Sequence, residues 1–157
     1  MEVKNELKRR TALNIHSKTI SNILIASNWV NEKNTMFFKN YNLSPQQYTI
    51  LKTLRSRRGV PASLTEVHER MISRMSNTTR LIDKLILKKL VTKSVSEKNK
   101  RKIEIVLTQL GQKVLTSIDL EIDNIAQKIT KNINLKEHLI LNELLDKLVG
   151  ANKMFSR

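Results

Sequence analysis

Residues 63–107 read SLTEVHERMISRMSNTTRLIDKLILKKLVTKSVSEKNKRKIEIVL, and the periodicity of this stretch decides the fold. Ser63 followed by Glu66 is a capping box, a hydroxyl and a carboxylate that satisfy the first free N–H groups of a helix. The short helix it starts carries Leu64, Val67 and Met71. Ser73 is the expected cap of the next helix, whose inner side is Met75, Thr78, Leu81, Ile82, Leu85 and Ile86 at steps near the helical period. After Lys88-Lys89 the period drops to two. Residues 90–95 form one strand, and Ile103, Ile105 and Leu107 alternate along its partner. Between them lies SEKNKRK, residues 96–102, with four basic side chains in seven.

Upstream, Leu43-Ser44-Pro45 starts another helix, with Ser at the N-cap and Pro at the first helical position. Tyr48, Leu51 and Leu54 are its apolar side, and RSRRGVP, residues 55–61, is a basic turn. The order is helix, short helix, turn, helix, then a hairpin with a basic tip: a winged helix-turn-helix. The expected fold class is therefore mainly α with a small β-hairpin wing, plus a helical dimerisation region. Three Gly and two Pro leave too little turn chemistry for a many-stranded sheet protein.

The flanks supply that helical region. From Leu107 the apolar positions Leu110, Val114, Ile118, Ile122, Ile125, Ile129 and Ile133 recur every three or four residues. Residues 132–135 break the pattern, and a second helix follows with Leu141, Leu144, Leu145, Leu148 and Phe155 on one side. A helix of about 22 residues spans about 33 Å, more than a small domain's core can cover. Self-association therefore outweighs packing within one chain, with Ile118, Ile122, Ile125, Leu141, Leu144 and Leu148 as candidate dimerisation residues. Residues 1–42 hold another helix with Ile15, Thr19, Ile23, Ala26 and Val30 on one stripe, widened by Ile20, Leu24 and Trp29. The cluster Met36, Phe37, Phe38, Tyr41 near its end is read first as core packing. The domain expectation is 1–42 for an N-terminal dimerisation helix, 43–107 for DNA binding and 108–157 for a helical dimerisation hairpin.

Charge points to the partner. Lys and Arg number 29 against 14 acidic residues, net +15. Residues 44–107 hold 15 basic and 5 acidic side chains, net +10, so the excess is local rather than a general solubility device. A polyanion is the expected partner, nucleic acid before an anionic membrane surface. The chain has no cysteine, and hence no thiolate metal site or thiol sensor. It has no apolar run of membrane-spanning length, and MEVKNELKRR lacks a signal-peptide core, so a cytoplasmic location is expected. His16, His68 and His138 are scattered, without carboxylates at metal-ligand spacing, and no phosphate-cradling glycine loop is present. No enzyme activity, metal or cofactor is expected.

The ordered set Leu43-Ser44-Pro45-Gln46-Gln47-Tyr48, Leu64-Thr65-Glu66-Val67, residues 75–85 (MSNTTRLIDKL), Asn99-Lys100-Arg101 and Leu107-Thr108-Gln109-Leu110-Gly111 resembles the MarR family of bacterial transcriptional regulators. The resemblance implies a homodimer joined through the N-terminal helix and the two C-terminal helices. It also implies a small-molecule effector, often anionic or phenolic, between those helices and the winged domain. Trp29, Phe37, Phe38 and Tyr41 are candidates to line such a site, though no effector residue is assigned. Two positions depart from the family pattern: Asn99 stands where the wing usually has Asp, and Lys89 where Gly usually follows the recognition helix.

In a helix-turn-helix the second helix enters the major groove with its N-terminal residues against base edges. Here these are Met75, Ser76, Asn77, Thr79 and Arg80. Asn suits adenine, Arg guanine, and Met a thymine methyl. The bland alternative is that Ser-Asn-Thr-Thr is only a polar helix start. At the wing, Arg101 and Asn99 are the minor-groove candidates, while Arg74, Lys98, Lys100 and Lys102 are expected on phosphates. Arg55, Arg57 and Arg58 are weaker phosphate candidates. The expectation is a sequence-specific duplex-DNA regulator, probed against a nonspecific architectural DNA-binding protein. With six aromatics and none in the basic hairpin, single-stranded RNA ranks lower. A membrane surface ranks last.

Overall fold

The computed structural model describes residues 2–71, 77–96, 100 and 103–150, with side chains from residue 14 onward. The element order is α1 (Glu2–Lys39), α2 (Pro45–Ser56), α3 (Leu64–Glu69), α4 (Thr78–Leu87), β1 (Val91–Val95), β2 (Ile103–Leu107), α5 (Gln109–Ile129) and α6 (Leu135–Val149). The chain divides into two compact units, Met1–Glu121 and Ile122–Arg157, a division that falls inside α5.

In the first unit, the core is built from Phe37 and Phe38 of α1, Ile50, Leu51 and Leu54 of α2, Val67 of α3, Ile82 and Leu85 of α4, Val91 and Ile105 of the hairpin, and Leu115 and Ile118 of α5. The aromatic cluster read from sequence divides accordingly. Phe37 and Phe38 are buried, with Phe38 stacked on Tyr48 at 4.5 Å between ring centroids, whereas Met36 is exposed. Tyr41 packs edge-on to Phe37, and its hydroxyl donates to the Ser117 carbonyl at 3.3 Å. Burial and the nearby Glu121 carboxylate raise the Tyr41 phenol above its ordinary pKa.

Local chemistry sets most helix ends. Ser44 caps α2 reciprocally: the Gln47 N–H donates to Ser44 Oγ and the Ser44 N–H to Gln47 Oε1, both at 3.1 Å. Ser63 and Glu66 do the same for α3, at 3.2 and 2.7 Å. That backbone bond, with Arg57 beside it, holds the Glu66 carboxyl below its ordinary pKa. α1 and α4 both end in Schellman motifs whose left-handed residue is not glycine. Asn42 has φ 53°, with the Leu43 N–H donating to the Phe38 carbonyl. Lys89 has φ 59°, with the Leu90 N–H donating to Leu85 and the Lys89 N–H to Ile86. Lysine therefore adopts the left-handed conformation that glycine takes most readily.

The hairpin is antiparallel with Val91 opposite Leu107, Lys93 opposite Ile105 and Val95 opposite Ile103. Ala62 adds a one-residue bridge to Ile105, with N–H···O bonds of 2.9 and 2.8 Å in both directions. The turn before α3 is thereby pinned to the base of the wing. Sequence periodicity had no means of finding a one-residue strand.

The second unit contains the end of α5 and all of α6. Ile122 and Ile125 are half-buried, and α6 has no buried residue at all. Leu135, Leu139, Ile140, Leu141, Leu144 and Leu148 are all exposed. In the first unit α1 likewise presents Ile15, Ile20, Leu24, Ile25, Trp29 and Val30 to solvent. Ile118 is different. It is fully buried within its own unit, so its apolar surface is already covered and is not on the unpartnered stripe where sequence placed it. Phe155 lies outside the described residues.

Candidate nucleic-acid interface

α3 and α4 meet through a buried polar tie. Thr78, at the first position of α4, is 5% exposed, and its Oγ1 lies 2.8 Å from His68 Nδ1 in the last turn of α3. This bond anchors one end of the recognition helix to its neighbour. His68 thus has a structural partner, in keeping with its sequence reading as an ordinary histidine.

The N-cap of α4 is Asn77, whose Oδ1 accepts the Arg80 N–H at 3.1 Å. Ser73, the cap expected from sequence, lies outside the described residues, as do Arg74, Met75 and Ser76. Asn77 is exposed, and capping takes one of the two lone pairs on its carbonyl oxygen, leaving its amide protons for a base. Thr79 and Arg80 are exposed in the first turn beside it. Three of the five expected base-reading residues therefore stand together at one helix start. At the wing, Lys100 is exposed in the turn, while Lys98, Asn99, Arg101 and Lys102 lie outside the described residues.

Beside α4 runs a groove of about 600 Å³, bounded by the α1–α2 turn, the start of α2 and the outer face of α4. Lys39, Arg80, Lys84 and Lys88 line it, together with Asn42, Ser44, Gln46 and Gln47, and none of its described lining residues is acidic. Lys88 is tied to the protein by its head group. Its ammonium donates to the Asn42 carbonyl oxygen and to Gln47 Oε1, the latter at 3.2 Å. Partial burial, and then the charge of Lys84, push its pKa below the ordinary lysine value. Lys84 and Lys88 were not singled out from sequence, yet Arg80, Lys84 and Lys88 recur every four residues, a one-faced basic stripe legible in the chain itself.

Two weaker phosphate candidates have other work. Arg55 makes a two-pronged ion pair with Asp119 of α5, at 2.5 and 3.0 Å. Arg57 donates to the Val60 and Pro61 carbonyls at 3.2 and 2.8 Å and pairs with Glu66 at 3.0 Å. Both guanidiniums, expected as weaker phosphate candidates, hold the basic turn to its surroundings. Arg58 remains exposed, in a left-handed conformation with φ 51°.

The MarR family model matches residues 43–103, the segment from the start of α2 to the start of β2. The match covers the helix-turn-helix and the first strand of the wing. No curated protein sequence matches the chain. Among solved structures, a mutant MarR from E. coli complexed with operator DNA is 20% identical over 82% of this chain and 91% of its own, with a TM-score of 0.73. A putative MarR-like transcription regulator from Bacillus cereus is 18% identical over 88% and 98%, with a TM-score of 0.78. Bordetella bronchiseptica BpsR, whose DNA binding is regulated by 6-hydroxynicotinic acid, is 20% identical over 84% and 93%, with a TM-score of 0.73. At these identities the likeness is one of fold. It extends the MarR architecture beyond the matched segment to the flanking helices.

Proposed function

We propose that this MarR family chain is a sequence-specific duplex-DNA-binding transcriptional regulator, a ligand-responsive repressor that acts as a homodimer on a pseudo-palindromic operator. The observation that carries the reading is the exposed start of α4: Asn77, Thr79 and Arg80 stand together, continued by the basic stripe of Lys84 and Lys88, with no acidic residue among the described residues that line the groove. The helix start supplies base-edge donors and acceptors, and the stripe supplies phosphate contacts. Met75, Ser76 and Arg74 complete the α4 set, and Arg101 and Asn99 the wing, with Lys98, Lys100 and Lys102 on phosphates. Uncovered apolar side chains on α1 and α6 support association with a second copy, through Ile122, Ile125, Leu141, Leu144 and Leu148. The family's members are regulators rather than enzymes, and the same is proposed here, with a cytoplasmic place of action. Among the described residues, no helix is long and apolar enough to cross a membrane.

The second reading, a nonspecific architectural protein, is favoured by the net charge alone. Selection of bound duplexes from a random-sequence pool near physiological salt separates the two. A two-fold symmetric motif with half-sites about one helical turn apart is the expected result. An unenriched pool, bound with an affinity that collapses as salt rises, would overturn specificity and leave the architectural reading.

A further inference from the structure

We propose that the groove between α2 and α4 is a binding site for a free phosphate monoester, occupied when DNA is absent. Four cations surround it: Lys39 from α1, and Arg80, Lys84 and Lys88 from α4 or its cap. No described lining residue compensates them. The α4 acid, Asp83, is not among the lining residues and faces Lys93 of β1 at 4.0 Å. Among the described residues the cationic cluster has no internal counterion, and an anion is the group that removes the mutual repulsion of Lys84 and Lys88.

Its cations are also partly preorganised. Lys88 spends two of its three ammonium protons on Asn42 O and Gln47 Oε1, which fixes the head group and leaves the third for a ligand oxygen. Gln47 is buried and held in turn by the Ser44 N–H, so the acceptor for Lys88 is already placed in the protein without a ligand. Leu43 and Leu81 add apolar surface among the cations. The volume is within the range of small-molecule sites and far exceeds one phosphate group. A compact dianion with an organic substituent matches this combination better than a monocarboxylate, because it carries twice the charge and three strong acceptor oxygens. Arg80 belongs both to this site and to the proposed base-reading surface, so an occupied groove opposes DNA binding. That consequence alone rests on the proposed function.

Calorimetric titration of the DNA-free protein at constant ionic strength tests the site, with phenyl phosphate, inorganic phosphate and benzoate as probes. Phenyl phosphate is expected to bind tightest and benzoate weakest. Lys88→Gln and Lys84→Gln should each weaken phenyl phosphate about tenfold, the loss of one charge-assisted hydrogen bond, while Lys88→Arg retains binding. Thermal melts of each variant establish that it folds. Benzoate binding as tightly, no binding of phenyl phosphate, or unchanged affinity in both folded glutamine variants would each overturn the proposal. Competition against a duplex then separates the two readings. Phenyl phosphate binding without any DNA binding would sink the regulator and leave the site, whereas DNA binding with no response to any probe would sink the site alone.

Discussion

Gly111 in the first turn of α5 lies against the backbone of Leu90, so closely that a β-carbon there would stand 2.3 Å from the Leu90 carbonyl oxygen and 2.6 Å from Leu107 Cδ1. Thr108 completes the joint: its N–H donates to the same Leu90 carbonyl at 3.1 Å, and its hydroxyl to Lys89 O at 2.8 Å. The start of α5 is thereby seated on the junction between the recognition helix and the wing. Gly111→Ala must push backbone aside and should destabilise the protein by about 1–3 kcal/mol, seen as a lower midpoint in thermal or urea unfolding. An unchanged midpoint would mean that the helix start shifts freely.

Lys89 presents the opposite case. Its left-handed φ of 59° costs a side-chain-bearing residue energy that glycine avoids. Lys89→Gly should stabilise the fold by about 0.5–1 kcal/mol, once the greater flexibility of glycine in the unfolded chain is counted. Denaturant titration at matched ionic strength checks the sign.

The Arg55–Asp119 pair links α2 to α5, and hydrogen bonding to Arg55 lowers the Asp119 pKa from its ordinary value of 3.8. Both side chains are partly exposed, so a double-mutant cycle should return about 0.5–1 kcal/mol of coupling at most. Because the folded carboxyl has the lower pKa, its stabilisation is fully present above the ordinary carboxylate range and fades as pH falls through the folded value. Asp119→Asn should therefore flatten part of the acid limb of stability below about pH 4 while changing little of its shape near neutrality. Parallel acid limbs for the two proteins would contradict this.

Arg80 and Lys100 should behave differently towards DNA. Arg80→Ala is expected to cost about 1–3 kcal/mol on a selected site and to relax preference at one base position. Lys100→Ala should weaken all duplexes evenly and reduce the slope of log affinity against log salt by about one. Binding isotherms on matched and mismatched duplexes across a salt series read both effects, and even weakening by Arg80→Ala would remove it from base reading.

Leu144 is exposed in the middle of α6, at a position where the protomer offers it no cover. Leu144→Glu would place a charge in the proposed dimer interface and should shift sedimentation towards monomer, with operator affinity falling in parallel. A monomeric parent protein would dispose of that interface altogether.

Much of this architecture was legible along the chain because the signals close within a few residues. Ser44 and Ser63 each find a partner three positions on, and Ile103, Ile105 and Leu107 alternate along β2 with Ile105 buried. The positive surplus of residues 44–107 and the apolar stripes of α1 and α6 follow from composition and period alone. What needed the tertiary structure were the pairings across long separations. Arg55 and Arg57 look alike in the basic turn, yet one is committed to Asp119, 64 residues away, and the other to the start of α3. Ile118 shares a period with Ile122 and Ile125, but only the packed first unit shows it to be covered already. Lys88 reads as one lysine among many until folding brings Asn42 and Gln47 beneath it. By itself, then, the sequence determined the elements, the caps of α2 and α3 and the location of charge, because these depend on neighbours in the chain. Only the tertiary structure decided which cations are free for a ligand and which apolar faces still lack cover, because distant segments compete for the same groups and the packed fold sets the outcome.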